Sequence, residues 1–203
     1  MNLKYSDFDD QFNAFVFELN DVLFPVKDYD LQVYYLFANF LEYLKPQFNA
    51  AEIIKFVKRQ YDISGNTGMF EALQLAFNID DSYQQNLIRL FNNAQLPLKL
   101  LLYKEALTLL QEIIINRKQV FILAPDNVKK ELNKIKQTEW HGMDPFLKLY
   151  FDEEIGVFPI EVMFRYFKNT HKLKNNEIVM VGKTSKNIFL AKLLGIKFIN
   201  VMQ

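Results

Sequence analysis

Ala14-Phe15-Val16-Phe17-Glu18-Leu19 is a short, nearly continuous apolar run. It is too short for a stable helix and suits a strand buried on both faces, as in a parallel sheet. Four runs of the same kind follow, at 119–124 (Gln-Val-Phe-Ile-Leu-Ala), 147–151 (Leu-Lys-Leu-Tyr-Phe), 177–181 (Glu-Ile-Val-Met-Val) and 197–201 (Lys-Phe-Ile-Asn-Val). Segments of helical period separate most of them. Strands alternating with helices predict an α/β fold: a parallel five-stranded sheet with right-handed crossovers and helices on both faces.

The spacing is uneven. Positions 20–118 separate the first two runs, far too many for a structureless loop. Within 31–44, Val33, Phe37, Phe40, Leu41 and Leu44 share one helical face. Asn49 with Glu52 looks like a cap before Ile53, Ile54, Phe56 and Val57, and Ser82 with Gln85 like another before Leu87, Leu90 and Phe91. Positions 67–77 also read as helix. The predicted organisation is a core of 1–23 and 97–203, with 24–96 a helical cap subdomain inserted after the first strand. The interval 103–116 is then the helix entering the second strand.

Composition narrows the function classes. Lys+Arg and Asp+Glu stand at 24 each, so no net charge argues for nucleic acid or an anionic membrane. With no Cys there is no disulfide, thiolate metal site or Cys nucleophile. The two histidines, His141 and His171, are too few and too far apart for a His-rich metal site. Positions 1–10 are polar and acidic, unlike a secretory signal, and no apolar run approaches the ~20 residues that span a bilayer. A cytoplasmic protein is the expectation.

Four motif frames occur in order. The first is Phe15-Val16-Phe17-Glu18-Leu19-Asn20-Asp21-Val22-Leu23, and the second Phe121-Ile122-Leu123-Ala124-Pro125. The third is Glu154-Ile155-Gly156-Val157-Phe158-Pro159. The fourth is Val179-Met180-Val181-Gly182-Lys183-Thr184-Ser185-Lys186-Asn187, followed by Ala191-Lys192-Leu193-Leu194-Gly195. From Asn13 to its end the chain thereby resembles the haloacid dehalogenase-like (HAD) hydrolases, whose Rossmannoid core often carries a helical cap after the first strand. The family's motifs are an apolar strand ending Asp-x-Asp, a Ser or Thr ending the second strand, a Lys before a helix, and Gly-Asp-x-x-x-Asp.

The resemblance implies a nucleophilic first Asp and an acid-base second Asp. It implies a Ser/Thr and a Lys holding the transferred group, and acids of the first and fourth motifs binding Mg²⁺. This chain places Glu18, Asn20, Ala124, Phe158, Lys183 and Asn187 at those six positions. Glu18 keeps a carboxylate but lengthens it, and a misplacement of ~1 Å can cost ~100-fold. Asn20 cannot shuttle a proton, Ala124 has no hydroxyl, Phe158 is apolar, and Lys183 brings a cation where Mg²⁺ needs an anion. The expectation is therefore a vestigial site with no catalytic residue and no Mg²⁺, in which the Lys183 ammonium pairs with Glu18. Such a protein would bind an unknown protein partner or small ligand. The alternatives are a hydrolase with an atypical active site, using Glu18 or displaced groups, and a structural partner subunit of an active relative.

Other features are weaker. Gly182-Lys183-Thr184 lacks the upstream glycine of a P-loop, since Glu177 stands there. Lys183, Thr184 and Ser185 open a helix, where weak anion binding is expected. Asp152-Glu153-Glu154 reads as a solvated loop, and Lys129, Lys130, Lys134 and Lys136 as a solvent-facing helix side. His141 and His171 read as ordinary surface residues, and Asp21 is given no catalytic weight. Tyr34, Tyr35, Phe37 and Phe40 are core by default and an interface in the partner-subunit alternative.

Overall fold

The structure, a computed structural model, describes residues 3–125, 127–151 and 160–201. Phe158 and the acidic Asp152-Glu153-Glu154 run lie outside the described residues. The chain divides into two compact units. One comprises 1–25, 101–131 and 138–203, and the other 26–100 with 132–137.

The first unit holds a parallel five-stranded sheet of β1 (Ala14–Glu18), β3 (Gln119–Ala124), β5 (Leu147–Phe151), β6 (Ile178–Gly182) and β7 (Lys197–Asn200), in the order β5-β3-β1-β6-β7. β2 (Leu100–Leu101) and β4 (Thr138–Glu139) make a separate two-stranded ladder that the sequence pattern did not suggest. The central strand β1 runs in register with both neighbours, Glu18 opposite Leu123 of β3 and Phe17 opposite Val181 of β6. All five apolar runs are strands, with ends displaced by a residue where hydrogen bonding stops.

Because side chains alternate across a sheet, each strand feeds two cores. Ala14, Phe121, Leu123, Ile178 and Met180 pack on one face with Ala191 and Leu194 of a helix over Ser185–Leu194. Phe164 and Phe167, from a helix over Ile160–His171, pack against the same cluster. Phe121 and Phe167 meet edge to face at 4.7 Å. Phe15 turns to the opposite face, where Phe8 meets it edge to face at 5.0 Å. The helix α5 (Lys104–Ile115) packs on β3 and buries Ala106, Leu109, Leu110 and Ile113. Each fully buried Leu or Phe contributes roughly 1.5–3 kcal/mol of transfer free energy.

The second unit is helical. It contains α1 (Val26–Leu44), α2 (Ala50–Ser64), α3 (Met69–Phe77) and α4 (Gln84–Asn93). Asn49 caps α2 by accepting the Glu52 N–H at 3.0 Å. The Ser82 cap is corrected: Asp80 accepts the Ser82 N–H at 2.9 Å and opens a short 3₁₀ turn, and α4 starts only at Gln84. Asp is the better acceptor at such a start because its charge also meets the helix dipole. Tyr34 and Phe37 are core, and Tyr35 is exposed.

The end of α6 (Val128–Gln137) groups with these helices. Asn133 Nδ2 donates to Tyr29 Oη at 3.1 Å and to the Ala94 carbonyl at 3.0 Å. Lys134 overturns the expectation of a solvent-facing lysine side. It is fully buried, with its ammonium 5.4 Å from the centre of the Tyr29 ring. A cation–π contact of this kind offsets part of the cost of burying the charge. Among the described residues no helix is long and apolar enough to cross a membrane.

Candidate functional site

β1 and β6 lie side by side, and both end at the edge where the Ser185–Leu194 helix, here α8, begins (α7 being Ile160–His171). Strand alternation puts Glu18 on the face of Ala14 and Val16, the one that α8 covers. Glu18 is only 4% exposed. Four donors converge on its carboxylate. The Lys183 N–H reaches Oε2 at 3.1 Å, and the Thr184 N–H lies 3.2 and 3.3 Å from the two oxygens. The Thr184 hydroxyl donates to Oε1 at 2.7 Å and Asn187 Nδ2 at 2.9 Å. Thr184 is the N-cap of α8, so the carboxylate sits on the helix's positive end.

The approach is close. A Cβ on Gly182 would lie 2.4 Å from Glu18 Cδ and Oε1. Glycine is required here for space. The extra methylene of Glu18, relative to the family's Asp, is what carries the carboxylate over Gly182 to the helix start.

The expected ion pair between Glu18 and Lys183 is not formed. Lys183 gives Glu18 its backbone N–H, and its ammonium goes to Asp21 Oδ2 at 3.0 Å. Asp21 has a positive φ of 57° in a tight turn, and its N–H donates to the Phe24 carbonyl at 2.8 Å. That left-handed residue turns the Asp21 side chain toward the β6 end. The pair's side chains are 37% and 33% exposed, so the attraction is largely screened by water.

Asn20 sits half-buried after β1, and Ala124 ends β3 fully buried. Asn187 lies in the first turn of α8, 6% exposed. A cleft of about 180 Å³ opens beside Glu18, walled by Leu19, Asn20, Leu123, Pro125, Lys186 and Asn187. Ser185 follows the cap residue and is exposed.

Mg²⁺ does not suit this donor set. An ionised carboxylate offers about four lone-pair sites, and the four donors already engage both Glu18 oxygens. Lys183 adds a cation at the same end of the sheet, on Asp21. Among the described residues, no group of three or more His, Cys, Asp or Glu side chains converges.

A second cluster went unread in the sequence. His171 Nε2 lies 2.7 Å from Tyr150 Oη, and His171 Nδ1 3.5 Å from Lys148 Nζ. An ammonium can only donate, so Nδ1 is the acceptor and Nε2–H faces Tyr150. Burial, and then the Lys148 ammonium, hold His171 below the ordinary histidine range. Burial also lowers Lys148 and raises Tyr150. His171 is thus a half-buried, partnered residue, and His141 remains an exposed loop residue.

With strand order and site in view, the fold is that of the HAD-like hydrolases. A hydrolase from Streptococcus pneumoniae TIGR4 superposes with a TM-score of 0.55 at 12% identity, over 95% of this chain and 94% of that one. L-2-haloacid dehalogenase from Xanthobacter autotrophicus gives 0.53 at 17% identity, over 94% and 77%. A haloacid dehalogenase-like family hydrolase from Xanthomonas campestris gives 0.52 at 14%, over 94% and 81%. No protein-family model matches the chain. No curated protein matches it in sequence.

Proposed function

We propose that this chain is a catalytically silent protein on the HAD-like hydrolase fold, kept for binding or regulation. The observation that supports this most is the position of Glu18. Its carboxylate, which stands at the β1 end where the resemblance would put a nucleophile, is spent on the N–H groups of Lys183 and Thr184, the Thr184 hydroxyl and the Asn187 amide. Attack would require it to leave four donors and turn into the cleft. The same donors are the ones a transferred anionic group would need at the start of α8, so the chain's own anion fills its anion site. Weak binding of phosphate at Lys183, Thr184 and Ser185 then requires Glu18 to be displaced.

The neighbouring positions support the same conclusion. Asn20 has no titratable proton to give a leaving group, and Ala124 has no hydroxyl to hold one. Lys183 sets its ammonium against the Asp21 carboxylate, where a metal site would call for an anion alone. A Mg²⁺-independent, non-hydrolytic role follows.

The test is hydrolysis of p-nitrophenyl phosphate by purified protein in millimolar Mg²⁺, beside Glu18→Gln. Both are expected to stay at background. Turnover near ~1 s⁻¹, an ordinary enzyme rate, that disappears in Glu18→Gln would overturn the proposal.

A further inference from the structure

We infer that the groove between α7 and α8 docks an acidic amphipathic helix from a partner protein. The inference goes beyond the silent-site proposal and uses none of the Glu18 contacts.

The first observation is a gap in the sheet's cover. Val16 sits at the middle of β1, the central strand, in register with Phe121 and Met180. The middle of a parallel sheet is normally buried on both faces, yet Val16 is only half-buried. Phe164 and Phe167 of α7 and Leu190 and Leu194 of α8 wall a pocket there, with Val16, Phe121 and Met180 in its floor. Tyr150 alone brings a hydroxyl to the lining, and that hydroxyl is held by His171. The volume of about 80 Å³ suits one aliphatic side chain.

The apolar surface continues outside the pocket. At about 3.6 residues per turn, Leu194, Leu190, Leu193 and Phe189 follow one another around α8. The first two wall the pocket, while Leu193 is 51% and Phe189 69% exposed. A helix that is apolar this far round calls for a second cover, and contiguous exposed apolar surface marks an interaction site.

Charge selects the occupant. The Lys168 ammonium lies 5.2 Å from the centre of the Phe164 ring, and the Lys148 ammonium 5.0 Å from that of Phe121, both rings of the pocket lining. Lys186 falls between Leu190 and Leu193 on the circumference of α8, and Lys192 and Arg165 add charges of the same sign. α8 carries no acid, and α7 none among its described side chains, Glu161 lying outside them. Glu18, on the same face, is buried under its own donors. A second copy would set the same lysines against these, and like charges brought together across an interface are costly. An anionic membrane matches the charge but has no ridge to enter the pocket. A helix with an apolar stripe and flanking carboxylates matches both, in the manner of a helix laid into a groove.

The experiment is a ¹³C-methyl NMR titration of the full chain with a synthetic peptide of about 14 residues, long enough to hold some helix. Its leucines are spaced three and four apart, with glutamates elsewhere. Saturable shifts of the Val16, Leu190 and Leu194 methyls, weakening as salt is raised, are expected. Leu193→Glu, at an exposed position, is expected to weaken binding by about tenfold or more, because it removes an apolar contact and sets like charges together. Phe189→Ser, also exposed, should weaken it several-fold. No saturable shift, equal binding of the same peptide with lysine in place of glutamate, or unchanged binding by both variants overturns the inference. Dimerisation of the free chain in sedimentation that is lost in Leu193→Glu would give the face to a second copy. Co-sedimentation with vesicles of equal phosphatidylcholine and phosphatidylserine, lost in the same variant, would give it to a membrane. Either result also overturns it. The silent-site proposal falls separately, on phosphatase turnover, which none of these experiments measures.

Discussion

A Cβ on Gly182 would lie 2.4 Å from the carboxyl carbon of Glu18, so the two residues can share the β1–β6 end only while position 182 is glycine. Gly182→Ala must shift either the strand end or the Glu18 side chain, and both are buried. Overpacking of this kind costs about 1–3 kcal/mol. Urea denaturation of Gly182→Ala, Glu18→Ala and the double variant checks the cause. The penalty of Gly182→Ala is expected to shrink in the Glu18→Ala background, giving a coupling of roughly 1 kcal/mol or more for residues in contact. Additive penalties would mean that the backbone, not Glu18, resists the methyl.

Glu18→Gln tests the carboxylate itself. The substitution keeps the shape and places an NH₂ group among donors that need an acceptor. Leaving buried donors unsatisfied costs about 1–3 kcal/mol, whereas a solvated residue at a sheet edge changes stability by less than ~0.5 kcal/mol. A loss in the larger range by chemical denaturation is expected. Glu18→Asp should also lose stability, because the shorter side chain does not span Gly182 to reach the Thr184 hydroxyl.

The sheet was legible because buried parallel strands announce themselves as short apolar runs, and β1, β3, β5, β6 and β7 all do. Caps were legible where one side chain reaches one N–H, as at Asn49. The inside of the site was less so. Glu18's partners are largely backbone N–H groups of Lys183 and Thr184, which have no residue identity, so the charged Lys183 side chain looked like the natural mate. The ammonium's true partner, Asp21, depends on a positive φ that an Asp codon does not advertise. Lys134 was read as solvent-facing from its helix's lysine pattern, which does not reveal its contact with the Tyr29 ring, far off in sequence. Separation in sequence, though shorter, also hid the contact between Tyr150 and His171.

The His171 cluster predicts a pH dependence with a definite sign. Its folded pKa is depressed below the unfolded value of ~6.5 by burial and by Lys148. Between the two values the unfolded chain binds a proton that the folded chain does not, so stability rises with pH. The contribution is therefore fully present above the unfolded pKa and is lost as pH falls through the folded one. Melting temperature is expected to drop on acidification from neutral pH, and His171→Asn should flatten that part of the profile. A His171 titration midpoint by NMR at or above the ordinary value would refute the assignment.

Lys183 separates the observed arrangement from a direct ion pair with Glu18. If its ammonium neutralised the buried carboxylate, Lys183→Met would strand that charge at a cost of ~3–5 kcal/mol. In the structure the ammonium instead meets Asp21 at a site about one-third exposed, where such a pair contributes roughly 0–1 kcal/mol. The donor that Glu18 does take from this residue is the backbone N–H, which survives any side-chain substitution except proline. Lys183→Met should thus cost under ~1 kcal/mol, and less as salt is raised. In a double-mutant cycle it should couple to Asp21→Asn and not to Glu18→Gln. Lys183→Asp, for its part, should not create Mg²⁺-dependent hydrolysis, because Glu18 keeps its four donors and Asn20 still has no proton to transfer. A large loss in Lys183→Met, coupled to Glu18, would mean that in solution the ammonium leaves Asp21 for the carboxylate behind it.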